Sequence, residues 1–167
     1  YDRGEFYYWR GKFVESDADF DKICKLDPTN ALGYVGKGRN AIELEKYKEA
    51  VDLLSYGLKL DTSYSQGYAF RAEAYMKQGM MNECIDDVIK ALDIDGNDKA
   101  FGIMWMIEDP AVNTLIAKLK IQQTKQPNEA GWSYYVGIVY EGGERYMKAI
   151  EAYNAALKIQ QSDVPYG

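Results

Sequence analysis

The chain contains no histidine. That absence removes the usual serine and cysteine triads, the HExxH zinc motif and the commonest general base in enzymes. Only two cysteines occur, Cys24 and Cys84, and they form no CxxC pair. A structural zinc site therefore lacks its ligands, and no disulfide framework is available. Basic residues are in deficit: 20 lysines and arginines stand against 26 acids, a net charge of -6. A surface of that sign repels a phosphate backbone and argues against nucleic acid as a partner. No apolar stretch reaches the roughly 18 to 20 residues of a membrane span, and no secretory signal opens the chain. Membrane insertion is not expected. A soluble chain of this kind suits the cytoplasm, or an extracytoplasmic space if a signal has been removed.

What is present is a period. A shift of 34 positions superimposes Gly4, Gly38 and Ala72; Phe13, Tyr47 and Met81; Ser16, Ala50 and Cys84; and Phe20, Leu54 and Val88. Leu26, Leu60 and Ile94 follow in the same register, then Asp27, Asp61 and Asp95. Repeats of this length mark tandem supersecondary units rather than one globular core. The order recurs from Gly137 through Tyr140, Tyr146, Ala149, Tyr153 and Ala156, but Gly137 lies 99 residues after Gly38 instead of 102. Counting back from Pro127 places the loss of three residues between Lys99 and Asp109. The units are then 1–30 (truncated), 31–64, 65–98, 99–129 (shortened and degenerate) and 130–163, in a single array over 1–167.

Within a unit the apolar spacing is helical: Ala50, Val51, Leu54 and Leu58 share a face, with Lys48, Glu49 and Asp52 largely off it. Each unit reads as two helices joined by a short turn. Asp27-Pro28-Thr29-Asn30, Asp61-Thr62-Ser63, Asp95-Gly96-Asn97 and Gln126-Pro127-Asn128 supply the turns between units. Asp109-Pro110 predicts an N-cap followed by proline in the first helical position. This register puts the two cysteines on second helices two units apart, so both are expected as free thiols.

These residues resemble the tetratricopeptide repeat family. The likeness runs through Tyr34, Gly38, Tyr47, Ala50, Leu54 and Gly57 in the second unit, and through Gly137, Tyr140, Tyr146, Ala149, Tyr153 and Ala156 in the fifth. The third unit keeps Tyr68, Ala72, Tyr75, Cys84, Val88 and Ala91. The resemblance implies an all-α fold, a right-handed α-solenoid of about five antiparallel helical hairpins, in which stacking buries the apolar faces and bends the array into a superhelix. It also implies a concave groove lined by first helices. In that register the groove presents Tyr1, Glu5 and Tyr8 from the first unit and Leu32, Val35, Arg39 and Ile42 from the second. Gln66, Ala69, Glu73 and Met76 follow from the third, and Tyr134, Ile138 and Glu141 from the fifth. Such a lining, mixed apolar and acidic, suits a peptide with apolar anchors and a basic residue.

One subfamily clamps the carboxy-terminal aspartates of heat-shock chaperones with lysines and asparagines at fixed groove places. This sequence departs from it. A clamp beginning at the second unit needs lysine and asparagine where Val35 and Arg39 stand; one beginning at the first unit meets Tyr1, Glu5, Gly36, Gln66 and Phe70. Chaperone-tail clamping is not expected.

The fourth unit departs from the family's pattern too. Leu115 takes the place of a small residue, and Phe101, Ile103, Met104, Trp105, Met106 and Ile107 are almost unbroken. A helix sandwiched between its neighbours predicts a buried Trp105; a partner-binding patch predicts an exposed one. At the chain ends, Tyr1 falls near the fifth position of its unit, and Gln161 to Gly167 adds no polar capping helix. A segment of a longer protein, or a neighbouring chain over an end, is the expectation.

Two lookalikes of catalytic or metal motifs fail on spacing, and a lone cysteine is set aside by its place in the repeat. Gly36-Lys37-Gly38 lacks the rest of a phosphate loop and lies within a predicted helix. Asp93, Asp95, Gly96 and Asp98 place glycine too early for a calcium loop and put Met104 at its twelfth position. Cys84 occupies a small buried position, which favours packing over reactivity. The acids mostly sit at exposed helix positions beside lysines, as in Glu43, Glu45, Lys46 and Lys48. The expected function is a non-enzymatic scaffold that holds a protein or peptide, with no cofactor and no metal. Two alternatives stand beside it: homo-oligomeric self-association through uncapped ends, and a positioning segment of a larger protein whose activity lies elsewhere.

Overall fold

Phe20 and Leu54, both without exposed surface, explain why the hairpins close where they do. Each is met by a glycine on a neighbouring helix. A Cβ at Gly36 would come within 2.5 Å of the Phe20 ring, and one at Gly38 within 2.6 Å of Leu54 Cγ. Helix axes can approach this closely only where a side chain is missing. The computed structural model describes residues 1–162 and, among them, contains ten α-helices and no strand. The expectation for Gln161–Gly167 falls largely on residues 163–167, outside the described residues. The fold is all-α, of the helical-hairpin solenoid class. It divides into two units, Tyr1–Ile103 and Met104–Gly167.

The first unit holds three hairpins: α1 (Asp2–Trp9) with α2 (Phe13–Leu26), α3 (Ala31–Glu43) with α4 (Tyr47–Leu60), and α5 (Ser65–Lys77) with α6 (Met81–Asp95). Successive hairpins touch through α2 against α3 and α4 against α5, and the first helices also meet, α1 with α3 and α3 with α5. The matches found by the 34-residue shift are therefore contacts repeated from hairpin to hairpin. Val35, Ala41, Ile42, Ala50, Leu54, Phe70 and Ala74 form one buried cluster across the second and third hairpins. At roughly 1.5–3 kcal/mol for a fully buried large aliphatic or aromatic side chain, such stacking supplies what no single hairpin can.

Turn chemistry fixes the connections. Asp27 Oδ1 accepts from the Thr29 amide and hydroxyl, and Asp61 Oδ1 does the same for Ser63. Asn30 caps α3 by accepting from the Leu32 amide. Gly96 ends α6 in the left-handed region, φ 67°, where glycine carries no Cβ penalty. Asp93, Asp95 and Gly96 thus belong to a helix terminus. Gly36-Lys37-Gly38 lies inside α3.

Glu43 and Glu45 are exposed as expected, and two other acids are exceptions to the mostly solvated pattern. Asp19 is 8% exposed and Asp87 5%. Each meets an arginine from its own hairpin: Arg3 reaches Asp19 through two nitrogens, and Arg71 Nε and Nη2 lie 2.7 and 2.8 Å from the Asp87 oxygens. Arg3 and Arg71 stand 68 positions apart in sequence, two periods. Both cysteines are free thiols, on α2 and α6. Burial pushes the Cys84 thiol up to about 12, so the nucleophilic thiolate is disfavoured.

α7 (Asp98–Trp105) runs eight residues where α3 and α5 run thirteen, at the place where the period loses three. The second unit takes up the chain at Met104. It contains α8 (Ala111–Lys125) packed on α9 (Ala130–Gly142), and α9 paired with α10 (Tyr146–Ser162). A Cβ at Gly137 would come within 2.5 Å of the Tyr153 ring, the same device as at Gly38. Asp109-Pro110 departs from the expected N-terminus. α8 begins at Ala111 with Pro110 as its cap residue and no side-chain cap, and the Glu108 carbonyl accepts from the Ala111 and Val112 amides instead. Trp105 is 51% exposed, which overturns the expectation of a sandwiched helix at this residue.

Candidate functional site

One repeat position of the first helices carries Glu5, Arg39 and Glu73, each 34 residues from the next. Charges of opposite sign at one repeat position can pair across hairpins. Arg39 does so with Glu5, its Nη1 and Nη2 lying 3.0 and 2.8 Å from the two carboxylate oxygens. The guanidinium also sits 3.7 Å from the centroid of the Tyr8 ring, with Phe20 and Phe70 at 5.9 and 5.8 Å. This combines a bidentate ion pair with cation–π contact in a shielded place. Arg39 Nε is buried with no hydrogen-bond partner among the described residues. Glu73 pairs with Lys99 at 2.8 Å, and the Lys99 ammonium lies 5.0 Å from the Phe70 centroid. The acids of this face are thus neutralised from within the first unit, and the basic ligand residue expected from Glu5 and Glu73 finds both already paired.

Beside the Arg39–Glu5 pair lies a cavity of about 260 Å³. Six of the expected groove residues line it: Tyr1, Glu5, Leu32, Val35, Arg39 and Gln66. Trp9, Gly36, Tyr64 and Phe70 complete the wall. Burial raises the Tyr1 hydroxyl above its ordinary pKa, with Glu5 adding to the effect, and pushes Tyr64 up to about 12. Both remain protonated donors at neutral pH. The Tyr8 hydroxyl donates to Glu43 at 2.7 Å and is likewise raised, first by burial.

The other expected residues do not line this cavity. Ile42 and Ala69 are buried between helices, Tyr8 covers Arg39, and Met76 is half-buried on α5. Tyr134, Ile138 and Glu141 belong to the second unit. There Tyr134 is exposed beside Tyr153, Ile138 is buried, and Glu141 accepts from the Tyr153 hydroxyl. Trp9 and Tyr64 were not among the residues expected. Trp9 lies at the end of α1 and Tyr64 at the cap of α5, just outside the helical register that selected the others.

No described helix is long and apolar enough to cross a membrane. The Tetratricopeptide repeat family model matches residues 65–98, which span the α5–α6 hairpin. Small glutamine-rich tetratricopeptide repeat-containing protein 2 of Saccharomyces cerevisiae is 30% identical over 105 residues, 63% of this chain and 30% of that protein. Hsc70-interacting protein 1 of Drosophila melanogaster is 27% identical over 92 residues, 55% of this chain and 24% of that protein. The chain therefore spans less than a third of the length of either relative. Among solved structures, the second TPR domain of human RPAP3, in complex with the HSP70 peptide SGPTIEEVD, has a TM-score of 0.56 at 28% identity over 60% of this chain and 85% of that one. MamA has the same fold across 98% of this chain and 97% of its own, with a TM-score of 0.60 at 19% identity. The 34-residue period, the glycine-to-side-chain contacts at Gly38 and Gly137 and these likenesses converge: residues 65–98 match the tetratricopeptide repeat, and the chain is similar to tetratricopeptide repeat proteins.

Proposed function

We infer that the chain is a non-catalytic protein-interaction module, and that the recessed face of α1, α3 and α5 receives a segment of a partner protein. The observation that carries this reading is the cavity itself. It draws Glu5, Leu32 and Gln66 from three successive first helices to one place, with a predominantly polar exposed lining over the buried Val35 and Phe70, so that a few convergent polar groups face one recess. The RPAP3 domain, which binds a peptide, and the relative named for interacting with Hsc70 support the same class of role.

The chemistry of the cavity favours a different ligand from theirs. The RPAP3 peptide ends in two glutamates, a valine and an aspartate. Here the places a carboxylate clamp would use hold Tyr1, Glu5, Gly36, Gln66 and Phe70, and the one guanidinium among the lining residues is engaged by Glu5. An acidic tail would meet a carboxylate and no free cation. The ligand that fits is a segment with an apolar side chain set against Val35 and Phe70, its backbone amides meeting Gln66 and the tyrosine hydroxyls.

Gln66→Arg tests this, because it fills the cavity while leaving the Arg39–Glu5 pair in place. Capture from the source organism should retain a partner on the unmodified chain and lose it on the variant, with circular dichroism unchanged. Retention of every partner by a folded variant contradicts the reading.

Self-association is a second reading, favoured by the outer face of α10. Tyr146, Ile150 and Leu157 are 58%, 52% and 52% exposed along one side of that helix. A sedimentation series should then show mass rising with concentration, and Ile150→Glu should abolish the rise.

A further inference from the structure

α7 stops at Trp105, and residues 106–110 are not helical before α8 begins at Ala111. In the second unit this leaves a cavity of about 310 Å³ against the last turn of α9. Its floor is apolar, built from the buried Met104, Ile107 and Ile138. Trp105 stands at the wall, half exposed, with its ring edge over Gly142, where a Cβ would come within 3.3 Å of Cζ3. A Cβ there would be a tighter than ordinary contact and would shift the indole.

The rim carries charge of one prevailing sign. Glu108 and Asp109 are adjacent, exposed and lining, and among the described residues neither carboxylate makes an ion pair or side-chain hydrogen bond. Arg145, the one cation on the rim, donates to Asn113 at 3.3 Å. In the first unit Glu5 and Glu73 are neutralised by Arg39 and Lys99; here the acids beside an exposed aromatic are left for a partner.

We propose that this cavity is a second docking site, which takes a protein segment carrying one large apolar side chain flanked by lysine or arginine. The apolar side chain displaces water from the Met104–Ile138 floor. The flanking cation settles between the carboxylates and the face of Trp105, where ion-pair and cation–π attraction act together. At the lower end of the roughly 300–1,000 Å³ range of ligand pockets, the volume suits one anchoring side chain.

The test is a titration of the full ¹⁵N-labelled chain with acetyl-Gly-Lys-Leu-Arg-Gly-amide, and separately with the same peptide bearing glutamate at both charged positions. The basic peptide should produce saturable shifts at the Trp105 indole N–H and at the Gly142 and Gly143 amides, and the acidic one none. In the Glu108→Gln, Asp109→Asn double variant the basic peptide should bind roughly two- to thirty-fold more weakly, the loss of two exposed charge contacts. Shifts confined to Gly36 and Gln66 would assign the peptide to the first-unit cavity and overturn the proposal. Equal response to both peptides, or no saturation at millimolar peptide, would do the same. The mapping uses the unmodified chain, so the outcome does not hang on the folding of a variant.

Discussion

Gly36 and Gly102 are both helical glycines, yet they should answer to alanine in opposite ways. At Gly36 the new Cβ would press on the Phe20 ring, which has no exposed surface into which to retreat. Gly36→Ala should lower stability by about 1–3 kcal/mol, the usual cost of overpacking. At Gly102 nothing lies within 4 Å of the new atom. Alanine there should add about 0.5–1 kcal/mol through helix propensity. Urea denaturation of the pair checks both signs, and equal effects would show that close approach is not what selects glycine at position 36. The Arg3 guanidinium holds the Asp19 carboxyl down at about 2, against an unperturbed 3.8. The folded form therefore binds a proton less readily than the unfolded chain. The stability this contributes is complete above pH 3.8 and is lost as pH falls toward 2. Thermal melts at stepped pH should show Asp19→Asn flattening the slope in that window, with no change in its steepness near neutrality.

At the scale of the element, Arg71 joins α5 to α6 through Asp87 and also donates to Ser55 on α4 at 3.0 Å. Its removal leaves a buried carboxylate unpaired. Arg71→Ala should cost about 3–5 kcal/mol, while Arg71→Met with Asp87→Leu should recover much of that, because the charge is removed together with its partner. Denaturation of the two variants decides it; equal losses would mean that packing of the arginine stem, rather than the pair, is what matters. The helices themselves were legible in the sequence. Asp27, Asp61 and Gly96 mark their ends, and these residues make the turns and the left-handed cap observed. Asp109-Pro110 misled because an aspartate before proline has the composition of a cap, whereas the Glu108 carbonyl makes the first bonds of α8. The burial of Asp19 and Asp87 was not legible, because it depends on an arginine sixteen positions away, on another helix.

At the scale of the molecule, repetition carried the reading. A residue type recurring every 34 positions is visible without coordinates, and it led to six of the residues that line the first-unit cavity. Periodicity does not say which side of a first helix is left open once hairpins stack, so Ile42 and Ala69 proved buried between helices while Trp9 and Tyr64, outside the register, reached the cavity. The pairing of Glu5 with Arg39 was hidden for the same reason: a one-dimensional pattern shows charge at a position and not the partner one hairpin away. The fourth unit was legible only as an irregularity, and the exposure of Trp105 follows from how a shortened helix ends.

The central claim, that first helices stacked side by side present the face a partner occupies, is most directly tested by hydrogen exchange on the unmodified chain with and without its captured partner. The account predicts slowed exchange along the cavity-facing turns of α1, α3 and α5, around Glu5, Val35 and Gln66, with α2, α4 and α6 unchanged. Protection confined to the second helices, or spread evenly over all six, would contradict it.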